Sequence, residues 1–375
     1  MTLLDTNIEH RRDASAAMTR GPGGAGSLGP LDDVIEPRWW TGSAWMSPAD
    51  YVIDGSGFAF DDADLRAGSE LAACVRSTYD RAGIVLIRST GLTDLGRMSD
   101  LAKLALGEQM DYEGGSNPRE RIEPNVYEVG APLSAWLHYH HEMAYVGRSA
   151  SAIGFLCNAA LPAGRGRTFV SDSIAATDAL LATPFGQQLK ERGLCYHRDL
   201  TDRNAFVGRV EYGVYNHWQR SFDTEDPRAA VERAEAMGLE VEWGPDGLLR
   251  TRYYSPAYEY FPQLDRNVLY SSVADHGMWF DTWPLVQHLP HADRPLDLTF
   301  GDGTPFTRSE LRQFVEVYDR FGTPIDWNVG DVAVMCNYRF AHGRPGIDLA
   351  DGEQRELGVV LGPQFDRVGV RPDRW

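Results

Sequence analysis

The feature that most restricts the fold of this chain is its set of short, nearly unbroken apolar runs. They are IVLIRS at 84–89, AIGFLC at 152–157, DVAVMCN at 331–337 and ELGVVLG at 356–362. Runs of this length, closed off by polar or turn-forming residues, predict strands buried on both faces. Helical spacing is confined to the front and the middle. Residues 62–82 place Leu65, Leu71, Cys74, Val75 and Tyr79 on one face, and Gly83 ends that helix. A second helix covers 92–106, started by Thr93 or Asp94. Residues 173–193 hold one or two helices, broken near Pro184, and 226–237 and 308–321 hold two more. Residues 239–254 read as a hairpin turning at Pro245-Asp246-Gly247. Strands and helices do not alternate as βαβ units, and no glycine-rich phosphate loop follows a strand. The pattern predicts a mainly β fold with flanking helices, a β-sandwich or jelly roll.

No internal repeat is present. Residues 1–35, polar and small and including GPGGAGSLGP, read as a flexible N-terminal arm. Residues 36–375 read as one domain with a long insert at about 174–326. Fifty-four acids against 36 bases give a net charge of −18, which repels phosphate backbones and anionic lipid. Nucleic acid and membrane are therefore not expected as partners. No apolar stretch approaches the ~20 residues of a membrane span, and no secretion signal is evident. Cys74, Cys157, Cys195 and Cys336 form no CxxC pair and read as reduced core residues. A cytoplasmic protein is expected.

Two segments carry chemistry. One is Leu137-His138-Tyr139-His140-His141-Glu142-Met143; the other runs from Gly330-Asp331-Val332 through Asn337-Tyr338 to His342-Gly343-Arg344. In an extended strand, residues i and i+2 share a face. His140 and Glu142 can then grip one ion while His141 points away. A second imidazole from His342 would complete a two-histidine, one-carboxylate face. That donor set suits non-haem Fe(II), because three coordination positions stay open. Pairing His138 with His140 is the alternative register, and it leaves Glu142 unused.

These segments, with AGIVLIRSTGLTD (82–94), DYEGGSNPRERIEPNVYEVG (111–130), GRGRTFVSDS (164–173), HWQRSFDTED (217–226) and WNVGDVAVMCNYRFAHGRPG (327–346), resemble in order the TauD/TfdA-like Fe(II)/2-oxoglutarate dioxygenases of the clavaminate-synthase-like superfamily. The resemblance implies a double-stranded β-helix core, jelly-roll or cupin-like. It implies an oxygenase that consumes 2-oxoglutarate and O2, with Fe(II) held by His140, Glu142 and His342. It maps the 2-oxoglutarate contacts onto Thr168 and Arg355. A far carboxylate needs a fixed cation, and arginine offers a planar fork. Arg344 is the rival anchor, and a surface ion pair with Glu353 is the bland reading of Arg355. The usual GG before the threonine is replaced here by Arg165-Gly166.

The substrate expected is a small natural-product or amino-acid-derived molecule, free or carrier-tethered, that is hydroxylated, desaturated or cyclised. Its walls are sought among Tyr112, Gly114 and Gly115, Trp218 and Gln219, and the insert aromatics Tyr212, Tyr215, Phe222, Tyr253, Tyr254, Tyr258, Tyr260 and Phe261. The insert also carries Arg209, Arg220, Arg250 and Arg252. His217 and His276 read as structural, and Asp172 and Asn337 as loop-stabilising. The rivals are a sulfonate-type catabolic dioxygenase, a zinc hydrolase and a non-catalytic β-sandwich binder. Glu142 argues against a halogenase, which needs that carboxylate removed. A homo-oligomer is left open.

Overall fold

The computed structural model describes residue 35 and residues 37–40, 42–112, 119–205, 217–282 and 294–375. The N-terminal arm expected over 1–35 lies almost wholly outside the described residues, as do Gly114, Gly115, Arg209, Tyr212 and Tyr215. Eight strands form the core: β1 (Val126–Glu128), β2 (Leu137–His140), β3 (Ala152–Ala159), β4 (Thr168–Asp172), β5 (Gly322–Ile325), β6 (Val332–Cys336), β7 (Phe340–Arg344) and β8 (Glu356–Leu361). They make two antiparallel sheets, ordered β6-β3-β8-β1 and β5-β4-β7-β2. Strands Val52–Asp54 and Ile84–Arg88 extend the first sheet beyond β6, and Arg121–Glu123 extends it beyond β1. This is the jelly roll expected from the sequence.

The continuous apolar runs are explained by what covers each face. Phe155, Ala333, Met335, Val359 and Leu361 belong to the core between the sheets. Their strand neighbours Leu156, Val332, Val334 and Val360 pack in a second cluster with Leu71, Val75, Met98 and Leu101. Those last four come from helices Glu70–Ala82 and Leu95–Leu106. Side chains alternate in direction, and both directions are dry, so every position is apolar. Each fully buried Val, Leu or Ile contributes roughly 1.5–3 kcal/mol.

The first helix is shorter than its periodicity predicted. It starts at Glu70, capped by the Ser69 side chain, which accepts from the Ala72 N–H. Upstream, Asp61 and Asp64 accept hydrogen bonds from the main chain at 59, 60, 63 and 64, holding turns instead of a helical ladder. Gly83 ends the helix at φ +74°, as expected. Helices Ser173–Leu181 and Pro184–Arg192 are separated by the Thr183 cap with Pro184 at the first turn.

The chain between β4 and β5 forms a second small sheet, ordered Glu240–Trp243, Leu249–Ser255, Leu194–Leu200 and Leu296–Phe300. Gly322–Ile325, inside the stretch expected as insert, instead pairs with β4. Helix Val273–Thr282 packs on β2, which brings the insert against the site.

Candidate active site

His140 ends β2 and is paired in register with His342 of β7; their ring centroids lie 4.3 Å apart. Glu142 follows just past the strand end. One ligand atom each from His140, Glu142 and His342 falls within 4.8 Å of the others. The three residues named from the sequence are thus brought together, with Glu142 beyond the strand expected to carry it. His138 is not in this cluster; its ring sits against Trp39 and Trp136.

The donor set fits a metal. The Nδ1–H of His140 donates to the His138 carbonyl at 2.7 Å, which leaves Nε2 as the lone-pair donor. His342 is buried, its Nδ1 has no partner among the described residues, and burial holds its imidazole neutral, far below the usual range. A neutral, unpartnered imidazole is what a cation requires. His141 faces the other way. Its Nδ1 accepts from the Ser271 N–H at 3.1 Å, and its Nε2 pairs with Ser173 Oγ at 2.8 Å.

The Glu142 backbone is fixed by neighbours the sequence did not connect to it. Its N–H donates to Asn337 Oδ1, and its carbonyl accepts from Asn337 Nδ2, Ser149 Oγ and Tyr270 Oη. The next residue, Met143, sits at φ +56°, a conformation uncommon for a side-chain-bearing residue. Asn337 was read as a loop-stabilising residue. Its contacts make it the residue that sets the position of Glu142.

Arg119 is a side chain at the site that the sequence analysis did not single out. It was visible as the arginine of the 112–119 stretch, yet nothing in the spacing tied it to Glu142. Its Nη2 lies 2.9 and 3.1 Å from the two carboxylate oxygens, and both side chains are buried. Tyr112, Val129, Leu137, Tyr145, Ser272, Asp275, His276, Trp279 and Leu296 line the same cavity. Asp275 Oδ1 accepts from the His138 N–H at 3.0 Å, and burial raises its carboxyl to about 6. His276, read as structural, faces this cavity. Burial pushes its pKa down to about 3, and neither ring nitrogen has a partner among the described residues.

Thr168 is linked to His342 through a chain of packed rings, and Arg355 stands beside the loop that leads into Thr168. Phe155 packs on His342 and on Trp327, and Trp327 Nε1 donates to Thr168 Oγ1 at 3.0 Å. Arg355 is 8 % exposed and donates through Nε to the Gly166 carbonyl at 3.0 Å. Glu353, the acid expected as its surface partner, pairs with Arg165. No acid pairs with it among the described residues, and burial lowers the Arg355 guanidinium to about 10. Gly166 stands at φ +67°, and a Cβ there would meet Arg355 Cδ at 3.0 Å, so the glycine of Arg165-Gly166 is required. Arg344 donates to the carbonyls of Ala131, Pro132, Leu133, Ala135 and Pro345. Its Nη1 and Nη2 are committed to the main chain.

The aromatics expected as substrate walls mostly belong elsewhere. Trp218, Phe222, Tyr253, Tyr258 and Phe261 are core residues, and Tyr254 is exposed. Gln219 bonds Asp202 and Arg250 lies near Asp199 and Glu242, while Arg220 supports the Arg119 carbonyl. The aromatics that reach the cavity are Tyr112, Tyr145 and Trp279.

Comparison with known proteins follows the same lines. The family model described as taurine catabolism dioxygenase TauD, TfdA family, matches residues 47–361. A clavaminate synthase-like protein of Arabidopsis thaliana is 27% identical over 279 residues, spanning 72% of this chain and 80% of that protein. The dapdiamide synthesis protein DdaC of Enterobacter agglomerans is 21% identical over 295 residues, spanning 77% and 85%. The crystal structure of AAD-2 in complex with Mn(II) and N-oxalylglycine aligns at a TM-score of 0.47 and 15% identity, over 85% of this chain and 95% of that one. With most of its length matched, the chain belongs to the TauD/TfdA family and is a 2-oxoglutarate-dependent non-haem iron dioxygenase, with Fe(II) as metal and 2-oxoglutarate as cosubstrate.

Proposed function

We propose that this enzyme oxidises an unactivated C–H bond of a small natural-product or amino-acid-derived molecule, free or carrier-tethered, with hydroxylation as the primary outcome. The observation that carries the reading is the convergence of His140, Glu142 and His342 beside a cavity that mixes aromatic walls with charged groups. Bound Fe(II) with 2-oxoglutarate supplies the activation of O2. His140, Glu142 and His342 hold the metal on one side and leave the side facing Tyr112, Tyr145 and Trp279 for substrate. Arg355 receives the far carboxylate of 2-oxoglutarate, and Thr168 completes that cradle with its hydroxyl. Phe155 and Trp327 keep water away from the bound cosubstrate. A relative named for dapdiamide synthesis supports a biosynthetic role over a catabolic one.

No helix among the described residues is long and apolar enough to cross a membrane. The four cysteines are free thiols, and we assign the enzyme to the cytoplasm on that basis.

The test has two stages. Anaerobic addition of Fe(II) and 2-oxoglutarate should give a weak visible charge-transfer band. A panel of amino acids, metabolite scaffolds and simple sulfonates is then screened for substrate-triggered succinate release. Mass spectrometry should find a gain of about 16 mass units for oxygen insertion, or a loss of about 2 for desaturation. Coupled turnover of a sulfonate alone would overturn the substrate class while leaving the metal reading in place.

A further inference from the structure

The cavity beside His140 and Glu142 is lined by one arginine, Arg119, and that cation has donors to spare. Arg119 gives both contacts of its Nη2 to Glu142. Its Nε and Nη1 are buried and have no acceptor among the described residues. The Tyr112 ring covers the guanidinium, with Cζ 4.7 Å from the ring centroid. Arginine does not give up its proton, so this charge and these donors persist in every state of the site.

Glu142 is its one ion-pair partner among the described residues. Arg344 and Arg355 are buried in the neighbouring interior, while Glu142 and Asp275 are the carboxylates that line the cavity. Fe(II) and the 2-oxoglutarate dianion carry equal and opposite charge, and Glu142 would be shared between the metal and Arg119 Nη2, so loading the site would leave Nε and Nη1 without an acceptor among the described residues. Buried charge without a partner is unfavourable, and a bound anion relieves it. Asp275 lies on the His140 side of the cavity, where its carboxylate takes the His138 N–H. Arg119 lies on the Glu142 side.

We propose that Arg119 is a specificity-determining residue: Nη1 receives a carboxylate of the substrate while Nη2 remains on Glu142. The substrate is then an organic carboxylate whose apolar body lies against Tyr112, Tyr145 and Trp279. This deepens the proposed function and rests on the assignment of Glu142 as a metal ligand. An arginine already fixed by a metal-binding carboxylate sets the distance between the substrate's anionic group and the C–H bond that reacts.

The experiment uses the full chain loaded anaerobically with Fe(II) and 2-oxoglutarate. The probes are 3-phenylpropionate, indole-3-acetate and N-acetylphenylalanine, each paired with its primary amide. Binding is read from the shift of the visible band and by calorimetry, with no turnover required. At least one carboxylate should bind about ten-fold tighter than its amide, the difference made by one charged hydrogen bond. In Arg119→Gln that preference should fall to about two-fold or less with the band retained, and Arg119→Lys should recover part of it. Equal binding of acid and amide, no binding of any acid, or a preference unchanged in Arg119→Gln overturns the proposal. Loss of the band in both Arg119 variants also overturns it, since Arg119 would then serve Glu142 alone. Absence of the band in the unmodified enzyme, before any probe is added, is the separate failure of the metal reading and takes this proposal with it.

Discussion

Asn337 holds both main-chain polar groups of Glu142: its Oδ1 accepts the Glu142 N–H at 2.8 Å, and its Nδ2 donates to the Glu142 carbonyl at 2.9 Å. The same Nδ2 reaches the Ala150 carbonyl and Tyr270 Oη, all within a fully buried setting. Asn337 follows β6 directly, so the turn between β6 and β7 supports a carboxylate that lies past the end of β2. Asn337→Ala strands a buried N–H and removes a donor from the carbonyl. It should cost roughly 2–4 kcal/mol of stability and loosen Fe(II) binding. Thermal unfolding with and without Fe(II) measures both effects. A variant that melts like the parent and binds Fe(II) equally would show that Glu142 needs no such support.

His141 and its neighbours should separate cleanly in mutation. His140→Ala, Glu142→Ala and His342→Ala each remove one member of the cluster. Each should abolish the visible band formed with Fe(II) and 2-oxoglutarate, with little loss of stability. His141→Ala removes a buried ring bonded at both nitrogens to Ser271 and Ser173. It should lower stability by roughly 2–4 kcal/mol while the band survives at low temperature. Equal loss of the band at His141 would shift the register by one.

The core strands were legible because burial on both faces leaves a run of apolar residues that needs no knowledge of partners. His140 and Glu142 were legible because an i, i+2 spacing in extended chain shares a face, although Glu142 falls just past the strand end, and His342 was legible from the resemblance of its segment. What was hidden depends on long-range pairing. Arg119 meets Glu142 through a loop and Asn337 meets it across a turn, and neither spacing is periodic. Asp275 and His276 reach the cavity only because helix Val273–Thr282 packs on β2. The aromatics of the insert misled for a related reason: the insert packs into the same continuous core as the jelly roll, and Tyr253 and Tyr258 are buried in it. The first helix was overextended because Leu65 continues its apolar face, while Asp61 and Asp64 accept main-chain hydrogen bonds that hold turns there.

Asp275 gives a pH dependence whose sign is fixed by burial. Desolvation raises its carboxyl from 3.8 to about 6 in the folded chain, with His140 opposing the shift. Between these values the folded state holds more protons than the unfolded state. Stability contributed by this group therefore falls as pH rises from about 4 to about 6, then stays level. The difference corresponds to roughly 3 kcal/mol at most. Asp275→Asn keeps an acceptor for the His138 N–H and removes the buried charge. The metal-free variant should be more stable than the parent at pH 8, with the two converging near pH 4. Denaturant unfolding across this range gives the answer, and a gap that widens toward acid would contradict the assignment.

Arg355 and Arg344 make opposite predictions although both are buried arginines near the same interior. Arg344 spends its donors on five main-chain carbonyls, four of them within residues 131–135. Removing it leaves those acceptors buried and unpaired, so Arg344→Ala should unfold more easily, by roughly 3–5 kcal/mol. Its effect on 2-oxoglutarate should follow only from that loss. Arg355 donates once, from Nε to the Gly166 carbonyl, and no carboxylate side chain pairs with it among the described residues. Arg355→Ala should leave stability nearly unchanged or improved, because an uncompensated buried cation is gone. It should raise the KM for 2-oxoglutarate by the 2–5 kcal/mol typical of a desolvated charge pair, roughly thirty-fold or more. Gly166→Ala tests the same anchor from the other side. Its φ of +67° disfavours a side chain by about 1–2 kcal/mol, and the added Cβ would press on Arg355 Cδ at 3.0 Å. That variant should raise the KM for 2-oxoglutarate without touching the affinity for Fe(II). Succinate release measured against 2-oxoglutarate concentration reports the KM, and Fe(II) titration reports the metal. A normal KM in Arg355→Ala together with a raised one in Arg344→Ala, at a temperature where both are folded, would move the anchor to Arg344.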